Sequence, residues 1–140
     1  MKLYLDVDGV LLGKKDGKIC LANRCREFLE YAIGAFDCYW LTTHCQGDTE
    51  GVLGYLAQFA DEPTMELMRK IKPTSFSWKT DALSGDFLWM DDSPTAGEIS
   101  VLEKKGWLKR WLQIDSRKNM DALYGLIPLL EKIRTEGFDD

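Results

Sequence analysis

A chain of 140 residues with a formal net charge of −5 has enough length to bury one core and too little for two domains of ordinary size, so a single domain over residues 1–140 is expected. Hydrophobic residues at 45%, charged residues at 29%, 12 Gly and 4 Pro exclude a disordered or fibrous chain. The acidic balance makes duplex nucleic acid a poor partner, and no uncharged apolar run approaches the roughly 20 residues that a membrane helix needs.

KLYLDV (2–7) is apolar up to its carboxylates and predicts a buried parallel strand. The Gly-, Lys- and Asp-rich stretch 13–18 between two short apolar pieces predicts a small hairpin. In NRCREFLEYAI (23–33), Cys25, Phe28, Leu29 and Ala32 share one helical face, with Asn23 as the expected cap and Gly34 as the stop. FDCYWLT (36–42) shows almost no alternation, which predicts a strand covered on both faces. Residues 48–59 and 63–71 read as helices, the second opened by proline, and a short helical piece is expected over 79–83. FLWMDD (87–92) is a third strand, 94–106 a helix with proline near its start and glycine at its end, and RWLQI (110–114) a fourth strand. A last amphipathic helix is expected over 119–134, bent or split by Gly125 and Pro128.

Strands alternating with helices predict an α/β fold: a doubly wound, mostly parallel sheet with helices on both faces. Ligands bind such sheets beyond the carboxyl ends of the strands. Asp6, Asp8, Thr42, Asp91 and Asp92 all fall there. Carboxylates clustered at strand ends repel one another unless a cation holds them, and an all-oxygen donor set suits Mg²⁺. Thr42 adds a hydroxyl donor, and Lys72 or Lys79 would bring a positive charge, which together make a phosphate site.

With these residues in view, the sequence resembles the haloacid dehalogenase superfamily, whose phosphatases carry four short signatures in a fixed order. Here the order is Asp6-Val7-Asp8-Gly9-Val10, then Thr42 in CYWLTT with Thr43 as an adjacent competitor. Lys79 in SWKTDAL follows, with Lys72 as the alternative, and then Asp91-Asp92 in FLWMDDSP. The resemblance implies a Mg²⁺-dependent phosphatase in which Asp6 is the nucleophile and forms an aspartyl-phosphate. Asp8 would be the general acid and base, with its backbone carbonyl contributing to the metal shell. Thr42 and Lys79 would hold the phosphoryl oxygens, Asp91 would ligate the metal directly, and Asp92 would act from the outer shell. The hairpin near 11–21 matches the flap of that family. A flap this short and no cap imply an open site for a large or exposed phosphomonoester, such as a phosphoprotein or a polynucleotide end. The resemblance spans about residues 1–115, and the tail after it carries no recognisable signature.

Two other classes compete. Receiver domains share the Asp, Thr and Lys inventory, but their acidic pair follows the first strand, whereas here Thr42 precedes Asp91-Asp92. A non-catalytic binding or regulatory module that kept the fold and the metal site is the other. Cys20, Cys25, His44 and Cys45 are zinc-ligand types, but they lack a CxxC pair, and reduced core thiols in a cytoplasmic protein fit better. His44, the only histidine, neighbours the proposed site and is read mainly as a cap or a solvated residue. KKGWLKRW (104–111) could track a nucleic-acid backbone, but a helix end with packed tryptophans is preferred, and the acidic end GFDD is read as solvated.

Overall fold

The computed structural model describes residues 1–138, so Asp139 and Asp140 of the acidic end lie outside the described residues. β1 (Lys2–Leu5) is the pivot of a four-stranded, all-parallel sheet. β4 (Asp37–Trp40) pairs with it on one side and β5 (Phe87–Asp91) on the other, with β6 (Trp111–Gln113) beyond β5. In this register Leu5 stands opposite both Trp40 and Met90. The ladder runs one step further, with Asp6 N–H donating to Met90 O (3.1 Å) and Leu41 N–H to Leu5 O (2.8 Å). The residues that follow these strands are therefore level with one another at one edge. The chain steps from β1 to β4 and then crosses back to β5, so the strand order reverses between β1 and β5, where doubly wound sheets leave a crevice.

Period-two alternation sends side chains to two cores. Leu3, Leu5, Cys38, Trp40, Leu88 and Met90 pack on one face against α1 (Cys25–Ala35), α2 (Glu50–Leu56) and α3 (Glu62–Met68). Tyr4, Phe87 and Trp89 pack on the other against Leu83 and Leu102, the latter from α5 (Ala96–Lys104). Phe28 and Leu29 of α1 are fully buried, each contributing about 2 kcal/mol relative to exposure, so Phe28→Ala would cost roughly 3–5 kcal/mol. The edge strand β4 is less covered than its sequence suggested, because Asp37 and Tyr39 are only half-buried and a lone parallel bridge to Lys72 flanks it.

The expected hairpin is β2 (Leu12–Lys15) with β3 (Lys18–Leu21). Its two-residue turn, Asp16-Gly17, has both residues at positive φ, as a type I′ turn requires. α1 departs from expectation at both ends. Arg24, in the left-handed region, precedes it, while Asn23 Nδ2 donates instead to Asp121 Oδ1 at 2.9 Å. Gly34 lies inside the helix, which ends when Phe36 turns extended and enters the core. α3 is capped by Asp61, which accepts from Thr64 N–H (3.0 Å), with Pro63 in its first turn. α5 opens with a reciprocal Thr95–Glu98 capping box. α4 (Lys79–Ala82) is one turn long, and the last helix is split as expected into α6 (Ala122–Gly125) and α7 (Ile127–Glu136).

The 104–111 segment packs. Trp107 meets Phe87 edge to face at 5.0 Å, and Trp111 Nε1 donates to Asp91 O at 3.0 Å. Among the described residues no helix is long and apolar enough to cross a membrane.

Candidate active site

The end of β1 delivers Asp6, and the end of β5 delivers Asp91 and Asp92. One carboxylate oxygen from each of the three lies within 4.8 Å of the others. Asp6 and Asp91 are buried. Each is oriented by the backbone that follows it: Asp6 Oδ1 accepts from Val7 N–H (2.8 Å), and Asp91 Oδ1 accepts from Ser93 N–H (2.9 Å). Into this cluster α4 projects Lys79, whose Nζ lies 2.8 Å from Asp91 Oδ2 and 3.3 Å from Asp6 Oδ2. Extended backbone at Trp78, whose N–H donates to Asp81 Oδ2 (3.2 Å), starts that turn and aims the lysine inward.

The electrostatics follow from burial. Loss of water around Asp6, reinforced by repulsion from Asp91 and opposed by Lys79, pushes its carboxyl up to about 7. Burial works to lower Lys79, but Asp6 and Asp91 outweigh it and hold the ammonium above its ordinary value. Asp92 is raised chiefly by partial burial, against the pull of Arg117. The Arg117 guanidinium pairs with Asp92 and reaches Asp115 Oδ1 at 3.4 Å. Asp6, Asp91 and Asp92 are thus the side chains that could take a hard cation, and Lys79 and Arg117 supply positive charge to them.

Gly9 sets how closely the first loop approaches the third carboxylate. It sits at φ 78°, and a Cβ there would lie 2.5 Å from Asp92 Oδ2. Its carbonyl accepts from Ser116 N–H at 2.7 Å, tying the loop to the segment after β6.

Asp8 is placed apart from its neighbours. Expected to reach the metal through its backbone carbonyl, it holds its carboxylate outside the Asp6–Asp91–Asp92 cluster. The reason is a different set of partners: His44 Nε2 lies 2.9 Å from Oδ2, and the Tyr55 hydroxyl donates to Oδ1 at 3.0 Å. Its side chain is 49% exposed, against 10% for Asp6. Burial and the contact with Asp8 hold the Tyr55 hydroxyl above its ordinary pKa.

Thr42 is buried, and its Oγ1 accepts from His44 N–H at 3.3 Å. Thr43 is exposed and lines a cleft of about 320 Å³ with Trp78, Lys79 and Ser93. Lys72 is not at the site. Its backbone pairs beside Tyr39 of β4, and from there its Nζ turns back to Asp37 Oδ1 (2.7 Å) at the amino end of that strand, the edge away from Asp6. Cys25, Cys38 and Cys45 are buried, Cys20 is half-buried, and all four are unbridged. Burial pushes the Cys25 and Cys38 thiols up to about 12, so they behave as core groups.

Sequence reasoning missed Arg117 and Tyr55. Arg117 stands in an unremarkable DSRKN turn, and Tyr55 near the end of a helix whose one charged residue is Glu50 in the first turn. The only available signal was position, one turn past the fourth strand for Arg117 and near the end of the helix after Thr42 for Tyr55. Compared with known proteins, the chain matches no family model and no curated sequence.

Proposed function

We propose that this chain is a phosphatase of the haloacid dehalogenase type, hydrolysing a phosphomonoester through an aspartyl-phosphate on Asp6. The observation that carries this reading is Lys79 bridging Asp6 and Asp91, beside Asp92, at the carboxyl ends of adjacent strands where the strand order reverses. With the Lys72 bridge counted as a strand, the sheet order in chain numbering is 3-2-1-4-5, which belongs to the doubly wound class.

The donor set fits Mg²⁺, because three carboxylate oxygens lie within 4.8 Å and no nitrogen or sulfur ligand competes among the described residues. Asp6, Asp91 and Asp92 would hold the ion, which would supply positive charge against the incoming phosphoryl group and favour ionised Asp6. The chain's own groups then divide the work. An oxygen of ionised Asp6 attacks phosphorus, and the bond to the leaving oxygen breaks as Asp8 delivers a proton to it. In the second half, Asp8 takes a proton from water as that water attacks phosphorus and releases Asp6. Thr42 accepts from His44 N–H, which leaves its own O–H to donate to a phosphoryl oxygen, and Lys79 offsets the charge spread over those oxygens. The cleft beside Lys79 is lined by the exposed side chains of Thr43 and Trp78, which supports a large or exposed phosphomonoester.

The test is hydrolysis of an aryl phosphate and of an alkyl phosphate by the parent, Asp6→Asn and Asp8→Asn, with Mg²⁺ and with chelator. Metal-dependent turnover by the parent, undetectable in D6N and reduced roughly 10²–10⁴-fold in D8N with an alkyl phosphate, is expected. Parent protein that binds the ion and turns over neither aryl nor alkyl phosphates would replace this reading with a non-catalytic binding module.

A further inference from the structure

The surroundings of Asp8 are more elaborate than its exposure requires. Water alone would satisfy a half-exposed carboxylate, and a surface ion pair adds little to stability. Yet two aromatic side chains from separate segments converge on it, one on each oxygen. Their rings stack on each other, with centroids 4.2 Å apart and planes 13° apart, so each fixes the other's position. Tyr55 is braced from behind by Phe59, edge to face at 5.4 Å. The stack is possible because α2 lies tight against the loop that carries His44. A Cβ at Gly51, one turn before Tyr55, would meet His44 O at 2.8 Å.

We infer that His44 and Tyr55 form a clamp that positions Asp8 for proton transfer to the leaving oxygen of the substrate, an inference that rests on the phosphatase reading above. The chemistry suits that task. A carboxylate has about four lone-pair sites, and the clamp occupies one on each oxygen, leaving the others for the proton in transit. With its hydrogen on Nε2 the imidazole donates to Asp8 Oδ2 in the ionised and the protonated residue alike, because a carboxylic acid keeps acceptor sites beside its one O–H, so the contact persists while that O–H stays free for the leaving oxygen. Tyr55 holds the other oxygen. Both are positioning residues, since neither contacts Asp6, Asp91 or Asp92 among the described interactions, and their effect reaches the substrate through Asp8. The clamped carboxylate lines a hollow of about 340 Å³ with Leu12, Ile19 and Arg117, where a leaving group has room.

A proton donor matters in proportion to how poor the leaving group is, and this separates positioning from a general structural role. The experiment compares kcat/KM, which reports the first transfer, for p-nitrophenyl phosphate and for a primary alkyl phosphate, in the parent, H44F, H44Q and Y55F, with urea midpoints to establish folding. H44F keeps a ring over Tyr55 and drops the polar contact. H44Q keeps a side-chain N–H and C=O and drops the ring. The expected result is a roughly 10–100-fold loss for H44F on the alkyl phosphate against about 3-fold or less on the nitrophenyl ester, with H44Q recovering most of the alkyl activity. Y55F, which removes one oxygen atom and keeps the ring, should show the same selective loss at smaller size, and it carries the test should H44F fold poorly. Equal losses on both esters, or no loss on either, would overturn the clamp and leave the phosphatase reading standing. A parent that turns over neither ester would overturn both.

Discussion

Asp6 and Asp8 are separated by one valine and live in opposite surroundings. Asp6 lies under the sheet edge with Asp91 and Lys79, nearly cut off from water, so its charge is governed by a buried ammonium and a competing carboxylate. Asp8 faces the open side, held by the hydroxyl and ring nitrogen of two stacked aromatics. Strand alternation would put positions 6 and 8 on one face, but β1 ends at Leu5 and the chain turns at Val7, whose carbonyl accepts from Val10 and Leu12 N–H, so Asp8 leaves in a different direction from Asp6. Two carboxylates held in such different media can carry different chemical duties at one pH.

The sharpest way to break this contrast is to remove the buried cation. Lys79→Met would leave Asp6 and Asp91 facing each other without compensation, at an expected cost of roughly 3–5 kcal/mol in urea unfolding at pH 8 without divalent ions. Asp6→Asn should act in the opposite direction. Asp6 rises from 3.8 to about 7 on folding, so between those values the folded chain holds a proton that the unfolded chain releases. Its contribution to stability is therefore greatest in acid and falls as pH rises through that window. D6N should accordingly stabilise the metal-free protein by about 1–3 kcal/mol at pH 8, with the gain gone near pH 4.

Asp8→Asn tests the open side. It should shift stability by less than about 1 kcal/mol at pH 7, because its partners hold a half-exposed group, whichever way turnover responds. Smallest of all should be Lys72→Ala, which breaks an exposed pair with Asp37 far from Asp6. No resolvable change is expected in the urea midpoint or in phosphate ester turnover.

Much of this arrangement was legible in the residues because it is written in short range. The apolar runs ending in Asp6 and Asp91 define β1 and β5, the Asp16-Gly17 pair defines the hairpin, and Pro128 divides α6 from α7. Helix ends were less legible. Whether Asn23 caps α1 depends on Asp121, nearly 100 positions away, which takes its side chain instead. The same range limit decided Lys72 against Lys79, since both lysines follow the second strand and only the bridge to Tyr39 turns one of them away. Tyr55 and Arg117 became visible only when the chain was closed, because nothing local to either residue indicates a carboxylate partner.

The hairpin carries a consequence for engineering. Its base is bound on every side. Ala22 N–H donates to Leu11 O, Asn23 N–H to Met120 O, and Ser116 Oγ to Val10 O, while a Cβ at Gly13 would strike Met120. Its tip is bare: Asp16 is exposed, and a Cβ at Gly17 would meet no atom within 4 Å. Foreign sequence spliced between Asp16 and Gly17 would project from a fixed stem beside Asp8, with an entropic cost of closing the added loop that grows only slowly with its length. That makes the turn a graft point for modules intended to select among substrates without disturbing the carboxylates beneath.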